Sequence, residues 1–329
     1  MPLASPPSDP ATPTELLPVF PDGCLPVGAP KARALLAAVS VIYTDLDGTL
    51  LAPGGRLLAA HDGTPSAATA SALVALKASG ITVIPVTGRG ADQGSEFLRV
   101  MDLDCYIGEV GGYILRRQDT QGAITVTESY VIGDWERRQL APGRAPGELP
   151  AGVNPYELIR QSGVIERLSA AFPGMLFTYP SPRSVSWSLW GNVDSATAAE
   201  VLAHEQLPLQ LLDNGLLYHP PGALPNGAPV HIYHLLPAGV TKRAAIAADR
   251  ASRDLPASGA LAIGDSAIDL EMSEACGVFV MMANGLRNPA VQQAVAERVA
   301  AGQTILHTTQ PTTDGWVEFA HAQLDATRG

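Results

Sequence analysis

Apolar and polar positions fall into two textures along this chain. In the first, short unbroken apolar runs end abruptly in polar residues, as in "VIYTDLDGT" at 41–49 and "ITVIPVTGR" at 81–89. An apolar run without alternation predicts a strand buried on both faces, the kind found in parallel sheets. Between them, "TPSAATASALVALKASG" predicts a helix with Thr64 as N-cap, Pro65 at the first position and Gly80 at the end. "APGGRLL" just before it reads as a short hairpin or flap. Strand, helix and strand in this order make a βαβ unit, with its chemistry at the carboxyl ends of the strands. The same texture returns after 240. "TKRAAIAADRAS" predicts a helix, "GALAIGDSAID" a strand and loop, "GVFVMM" a strand, "NPAVQQAVAERVA" a helix, "QTILHT" a short strand and "DGWVEFAHAQL" a closing helix.

The second texture occupies the middle. Strands are predicted at "AITVTESYVI", "GMLFTYP", "RSVSWSLWG" and "QLLDNGLLYH", the last with Asn214-Gly215 as a hairpin turn. "PYELIRQSGVIERLSAAF" and "DSATAAEVLAHEQ" predict helices, and "ERRQLAPGRAPGELPAGVNP" a Pro/Gly loop. The fold class is therefore α/β, a Rossmann-like parallel-sheet core interrupted by an inserted α+β domain. The expected division is core at 31–107 and 238–329, insert at 108–237. Nine prolines in the first 30 residues predict a disordered leader there.

Composition narrows the class. With 46% hydrophobic residues in 329, the chain can build sizeable cores. No apolar run reaches the roughly 18 residues that span a bilayer. The N-terminus lacks the basic start and unbroken apolar stretch of a signal peptide, which makes cytoplasmic the expected location. A net charge of −11 disfavours nucleic acid and anionic membranes as partners. The three cysteines show neither disulfide nor metal-ligand spacing. Only three lysines stand against eighteen arginines, so a lysine at a motif is there for its own chemistry.

Four short pieces end strands or begin helices of the predicted core: "DLDGT" at 45–49, "VTGR" at 86–89, "TK" at 241–242 and "GDSAID" at 264–269. They supply four carboxylates (Asp45, Asp47, Asp265, Asp269), the Thr87 hydroxyl and the Lys242 ammonium. Hard oxygen ligands at a strand end suit Mg²⁺. A hydroxyl, a lysine and glycine-rich backbone amides suit phosphate oxygens. Metal and phosphate together point to phosphoryl transfer. Each piece alone has an ordinary reading as a turn or helix cap, but the four in order do not.

In that order, the motifs resemble the haloacid dehalogenase superfamily of phosphohydrolases, over about 40–325. The resemblance implies that Asp45 is the nucleophile, forming an aspartyl-phosphate, and that Asp47 is the general acid and base. It implies phosphate binding by Thr87, Gly88 and Lys242. Mg²⁺ would be held by Asp45, the main-chain carbonyl of Asp47, and Asp265, with Asp269 and Asn284 in support. Between Asp47 and Thr87 lie 39 residues, and between Arg89 and Lys242 lie 152, so the insert follows the second motif. This is the class II cap position, and the sequence is most similar to the Cof-like and sucrose-phosphatase branch. Two positions depart from that branch: Ile268 where Asn is usual, and Val110 where the cap entrance often carries Asn. The implied activity is hydrolysis of a small phosphorylated metabolite, a sugar or polyol phosphate. A phosphomutase and a catalytically inert phosphate-binding module are the alternatives. Arg89, Glu109, Arg183 and Trp187 are candidate substrate contacts, as are Trp190, His231 and His234, although packing is the commoner role of such residues. The oligomeric state is not readable from the sequence.

Overall fold

The computed structural model describes residues 17–120, 123–130, 155–179, 181, 183–217 and 220–328, with the main chain alone over 119–120 and 123–130. β1 (Leu25–Pro26) and α1 (Pro30–Leu36) lead into β2 (Val41–Thr44), followed by α2 (Ala68–Ala78), β3 (Thr82–Pro85), α3 (Ala91–Val100) and β4 (Cys105–Gly108). The hairpin of β5 (Tyr113–Thr120) and β6 (Ala123–Tyr130) comes next. The middle holds α4 (Pro155–Ser162), α5 (Val164–Ala171), β7 (Leu176–Thr178), β8 (Trp187–Gly191), α6 (Ser195–Ala203), β9 (Leu209–Leu216) and β10 (His231–Pro237). The chain closes with α7 (Lys242–Ser252), β11 (Ala260–Gly264), α8 (Ala267–Leu270), β12 (Val278–Met281), α9 (Pro289–Ala300), β13 (Ile305–His307) and α10 (Thr312–Thr327).

Six strands form one sheet in the order β1-β13-β12-β11-β2-β3, and every pairing is parallel. The uninterrupted apolar runs behave as their pattern requires. Ile42, Leu261, Ile263 and Val280 bury one face against Leu36, Leu76, Trp316 and Phe319. Tyr43, Ala262, Phe279 and Met281 bury the other against Ile246, Leu270 and Val291. Each such side chain contributes about 1.5–3 kcal/mol on burial. Because β11 and β2 are neighbours with Ile263 beside Thr44, the loops starting at Asp45 and Asp265 leave the sheet side by side.

A second sheet is antiparallel, in the order β7-β8-β10-β9. One face packs on α4, α5 and α6 through Ile159, Leu168, Leu189, Leu202, Tyr233 and Leu235. By strand alternation, Ser188 and His234 lie on the opposite face. A third sheet, β4-β5-β6, joins the β3 edge of the large sheet through a parallel bridge between Val86 and Ile107. Tyr113, Ile114 and Leu115 of β5 pack into the two cores of that large sheet. The chain thus stays attached to the core past 108, where the insert was expected to begin.

Several elements differ from the sequence pattern. The leader ends earlier than residue 30: Cys24 and Val27 are buried, and Leu25–Pro26 pair in parallel with β13. Residues 1–16 lie outside the described part, as do most of the Pro/Gly loop and the last two residues of "AITVTESYVI". α2 starts at Ala68 rather than Pro65, because Pro65 bridges Ala59 in the flap. The expected helix at 155–172 breaks at Gly163, whose φ of 73° ends α4 and starts α5. Asn214-Gly215 makes no hairpin; β9 runs through it, and Gly215 takes a φ of 94°. β10 offers that strand a full antiparallel partner, so the Asn-Gly pair becomes an irregularity in the ladder instead of a reversal. α3 and β4 had no counterpart in the sequence reading.

Candidate active site

Three adjacent strand ends, β11, β2 and β3, and the first residue of α7 converge on one small volume. Asp45 follows β2 directly and is buried, with its Oδ1 accepting from Lys242 Nζ at 2.5 Å. The same Nζ donates to Asp269 Oδ1 at 2.6 Å. Lys242 is brought there by α7, which Thr241 starts by accepting a hydrogen bond from Ala244 N with its side chain. Asp269 sits in the first turn of α8, where its Oδ2 accepts from the Asp265 and Ser266 amides and the Ser266 hydroxyl. That reciprocal capping box pins the turn after β11. Asp265 Oδ1 accepts from Thr49 Oγ1 at 3.2 Å, and its Oδ2 from Asn284 Nδ2 at 2.9 Å. Asn284 also donates to the Gly48 carbonyl, tying the two acid loops together. Gly48 takes a φ of 84°, and a β-carbon there would lie 2.4 Å from Asp265 Oδ2. Only glycine fits this approach.

One oxygen from each of Asp45, Asp265 and Asp269 lies within 4.8 Å of the others. Three carboxylates face one ammonium, so the fully ionised cluster would carry two negative charges in excess. Burial, then Asp269, pushes Asp45 well above the usual carboxylate range, with Lys242 opposing. Burial and Asp269 push Asp265 up to about 7. Burial acts against the Lys242 charge, but Asp269 and Asp45 outweigh it and raise its pKa. A donor set of hard oxygens short of two positive charges fits a divalent cation. Asp269, expected in support, lies within the same cluster, its two oxygens engaged by Lys242 and by the turn after β11.

Asp47 stands apart. Its carboxylate is half exposed and paired with Arg89, accepting from Nε at 2.9 Å and Nη2 at 2.5 Å. It lies outside the three-carboxylate cluster, so any share in holding a cation falls to its main-chain carbonyl. Thr87 is buried at the end of β3, its hydroxyl accepting from the Arg89 amide. The Gly88 carbonyl accepts from Arg183 Nη1 at 2.8 Å.

Glu109 reaches from the β4–β5 connection to the insert rather than into the cluster. Its carboxylate accepts from the Ser184, Val185 and Ser186 amides and the Ser186 hydroxyl, at 2.7–3.0 Å. It is fully buried and clamps the start of β8 onto the core. Glu109 and Val110 both have left-handed φ angles, 49° and 59°. For a β-branched residue that geometry is strained, and it falls where the resembling branch often has Asn. Trp187 is not brought to the site: it stacks on Tyr156 at 4.2 Å and donates to the Tyr156 carbonyl. Trp190 stacks on Phe177, and His231 pairs with Asp213. Asn214, read from the sequence as a turn residue, comes close to the Gly88 loop instead: its Nδ2 lies 3.1 Å from where a Gly88 β-carbon would be.

Residues 42–130 and 227–299 match the family of haloacid dehalogenase-like hydrolases. Among solved structures, SMU.1108c from Streptococcus mutans is similar with a TM-score of 0.55 and 16% identity, over 87% of this chain and 99% of that one. BT1666 from Bacteroides thetaiotaomicron, a phosphatase of the same superfamily, is similar at 0.51 and 17%, over 92% and 99%. The sucrose-phosphatase of Synechocystis, solved with sucrose and phosphate, is similar at 0.52 and 13%, over 87% and 97%. At these identities the likeness establishes the fold. None of the curated protein sequences matches the chain. Among the described residues, no helix is long and apolar enough to cross a membrane.

Proposed function

Because this chain belongs to the haloacid dehalogenase-like hydrolases, we propose that it is a Mg²⁺-dependent phosphatase of a small phosphorylated metabolite, a sugar or polyol phosphate. The observation that carries this is the trio of Asp45, Asp265 and Asp269 around the Lys242 ammonium. Asp45, Asp265 and Asp269 would hold the cation, together with the Asp47 carbonyl. When bound, the cation supplies electrostatic stabilisation of phosphoryl charge.

Asp45 is the nucleophile. Lys242 engages its Oδ1, which leaves Oδ2 to attack phosphorus and form an aspartyl-phosphate. Lys242 Nζ has three hydrogens; two go to Asp45 and Asp269, and the third is available to a phosphate oxygen. The Thr87 hydroxyl and the Gly88 amide complete the phosphate cradle. Asp47 protonates the departing alcohol oxygen, then takes a proton from the water that hydrolyses the aspartyl-phosphate. This requires Arg89 to leave the Asp47 carboxylate as substrate enters. The four-stranded insert closes over the site and excludes bulk water.

The test is phosphate release from p-nitrophenyl phosphate and from a panel of phosphorylated metabolites, with Mg²⁺ and with EDTA. Metal-dependent turnover, fastest on a sugar or polyol phosphate, is expected. No release from any compound overturns the reading.

The cluster also fixes a pH dependence. Folded Asp265 titrates near 7, against about 3.9 for a free aspartate. Between these values the metal-free folded state holds a proton that the unfolded state has lost. Its stability therefore falls as pH rises from about 4 through about 7, then levels. Asp45 acts in the same direction. Mg²⁺ takes the place of that proton, so it should raise Tm more at pH 8 than at pH 5, by about 5 °C. Thermal melts with EDTA or Mg²⁺ across pH 5–8 measure this, and an equal Mg²⁺ shift at both ends contradicts it.

A further inference from the structure

Among the described residues, the face of the four-stranded sheet that looks toward the core carries two polar atoms with no hydrogen-bond partner, Ser188 Oγ and His234 Nδ1. The residues are directly opposite each other on β8 and β10. Both are buried, at 2% and 1% exposure. Leaving such an atom unpaired is destabilising, so two adjacent ones mark a place built for an occupant.

Their surroundings tie them to the phosphate cradle. His234 Nε2 lies 2.8 Å from where a β-carbon on Gly88 would be, with Asn214 Nδ2 beside it. Arg183 donates to the Gly88 carbonyl and also to Ser186 Oγ. Ser186, two residues before Ser188 on the same face, donates its hydroxyl to Glu109 of the core. Burial, with Arg183 and Lys242 nearby, holds His234 well below the usual imidazole range, so its ring is neutral. The Ser188 hydroxyl both donates and accepts, and the neutral ring's Nδ1 does one or the other according to its tautomer. An alcohol, which itself donates and accepts, complements the pair in either tautomer.

Building on the phosphatase reading, we propose that Ser188 and His234 together bind one hydroxyl of a polyhydroxylated phosphate monoester and are specificity-determining residues. Opening of the insert admits the substrate, and closure brings its hydroxyl between the two side chains.

The test compares kcat/KM on p-nitrophenyl phosphate, on glucose, mannose and fructose 6-phosphates, and on mono-deoxy analogues of the best of the three. The wild type should prefer the best hexose 6-phosphate to at least one deoxy analogue by about 10- to 100-fold. Ser188→Ala and His234→Leu should each shrink that ratio to about threefold or less, mainly by raising KM for the hydroxylated compound. A packing role alone would lower both rates and keep the ratio. If the wild type turns over every deoxy analogue as well as its parent, the inference fails without recourse to any variant. It fails equally if no hexose phosphate outpaces p-nitrophenyl phosphate, or if both variants keep the ratio. Absence of release from all these compounds overturns the phosphatase reading itself, and the inference with it.

Discussion

Asp45→Asn is expected to lower Mg²⁺-dependent phosphate release by at least about a thousandfold while leaving the protein folded. The substitution is nearly isosteric, so packing around the end of β2 is kept. What it removes is the oxygen that attacks in the proposed reaction, and an amide does not form the acyl-phosphate that such a two-step route needs. Stability should move the other way from activity. Burial and repulsion from Asp269 raise the pKa of Asp45, with Lys242 opposing, so the charged form of this carboxylate is disfavoured without metal. Replacing it relieves that repulsion, so the metal-free variant should melt at the same temperature as the wild type or a few degrees higher. Steady-state release on the best substrate, read beside a melting curve, checks both halves. Residual activity above about a tenth of wild type would remove Asp45 from the nucleophile's role.

Lys242→Met should have the largest effect on stability. The Lys242 side chain is 3% exposed and bridges Asp45 and Asp269, whose own side chains are 10% and 2% exposed. Taking one partner from a buried ion network leaves charge without compensation and costs about 3–5 kcal/mol. For a chain of this size that lowers Tm by about 10 °C. The loss should be greatest in EDTA at pH 8, where the three carboxylates are most charged. It should shrink at pH 5, where protonation supplies what the lysine did, and in Mg²⁺, where the cation does so. Activity is expected to fall at least about a hundredfold under all these conditions, because the donor proposed for the phosphate is gone. A melting temperature within about 1 °C of wild type in EDTA at pH 8 contradicts the role given to this lysine.

How much of this was legible beforehand depended on range. The strands at 41–44, 82–85, 260–264 and 278–281 announced themselves because burial on both faces leaves a continuous apolar run. Asp45, Asp47, Thr87 and Asp265 were legible because each follows the abrupt polar end of such a run, and Lys242 because it opens a helix. The scarcity of lysine singled out Lys242 in the same way. Local signals misled where a distant partner outbid them: Asn214-Gly215 looked like a reversal until β10 lay beside it. The amphipathic run at 155–172 looked like one helix until Gly163 broke it. The leader looked disordered to residue 30, but its last part is captured by the edge of β13.

By itself, then, the sequence determined the parallel core, the order of its motifs and the identity of the acids and the lysine, because those follow from local period and from residue chemistry. Only the tertiary structure decided how the acids divide. It placed Asp269 with Asp45 and Asp265, and turned Asp47 out to Arg89. It also made Glu109 a clamp, stacked Trp187 on Tyr156 and set Ser188 opposite His234. Each of those outcomes depends on which residues meet across about 30 to more than 200 positions of chain, and no local pattern encodes such a distance.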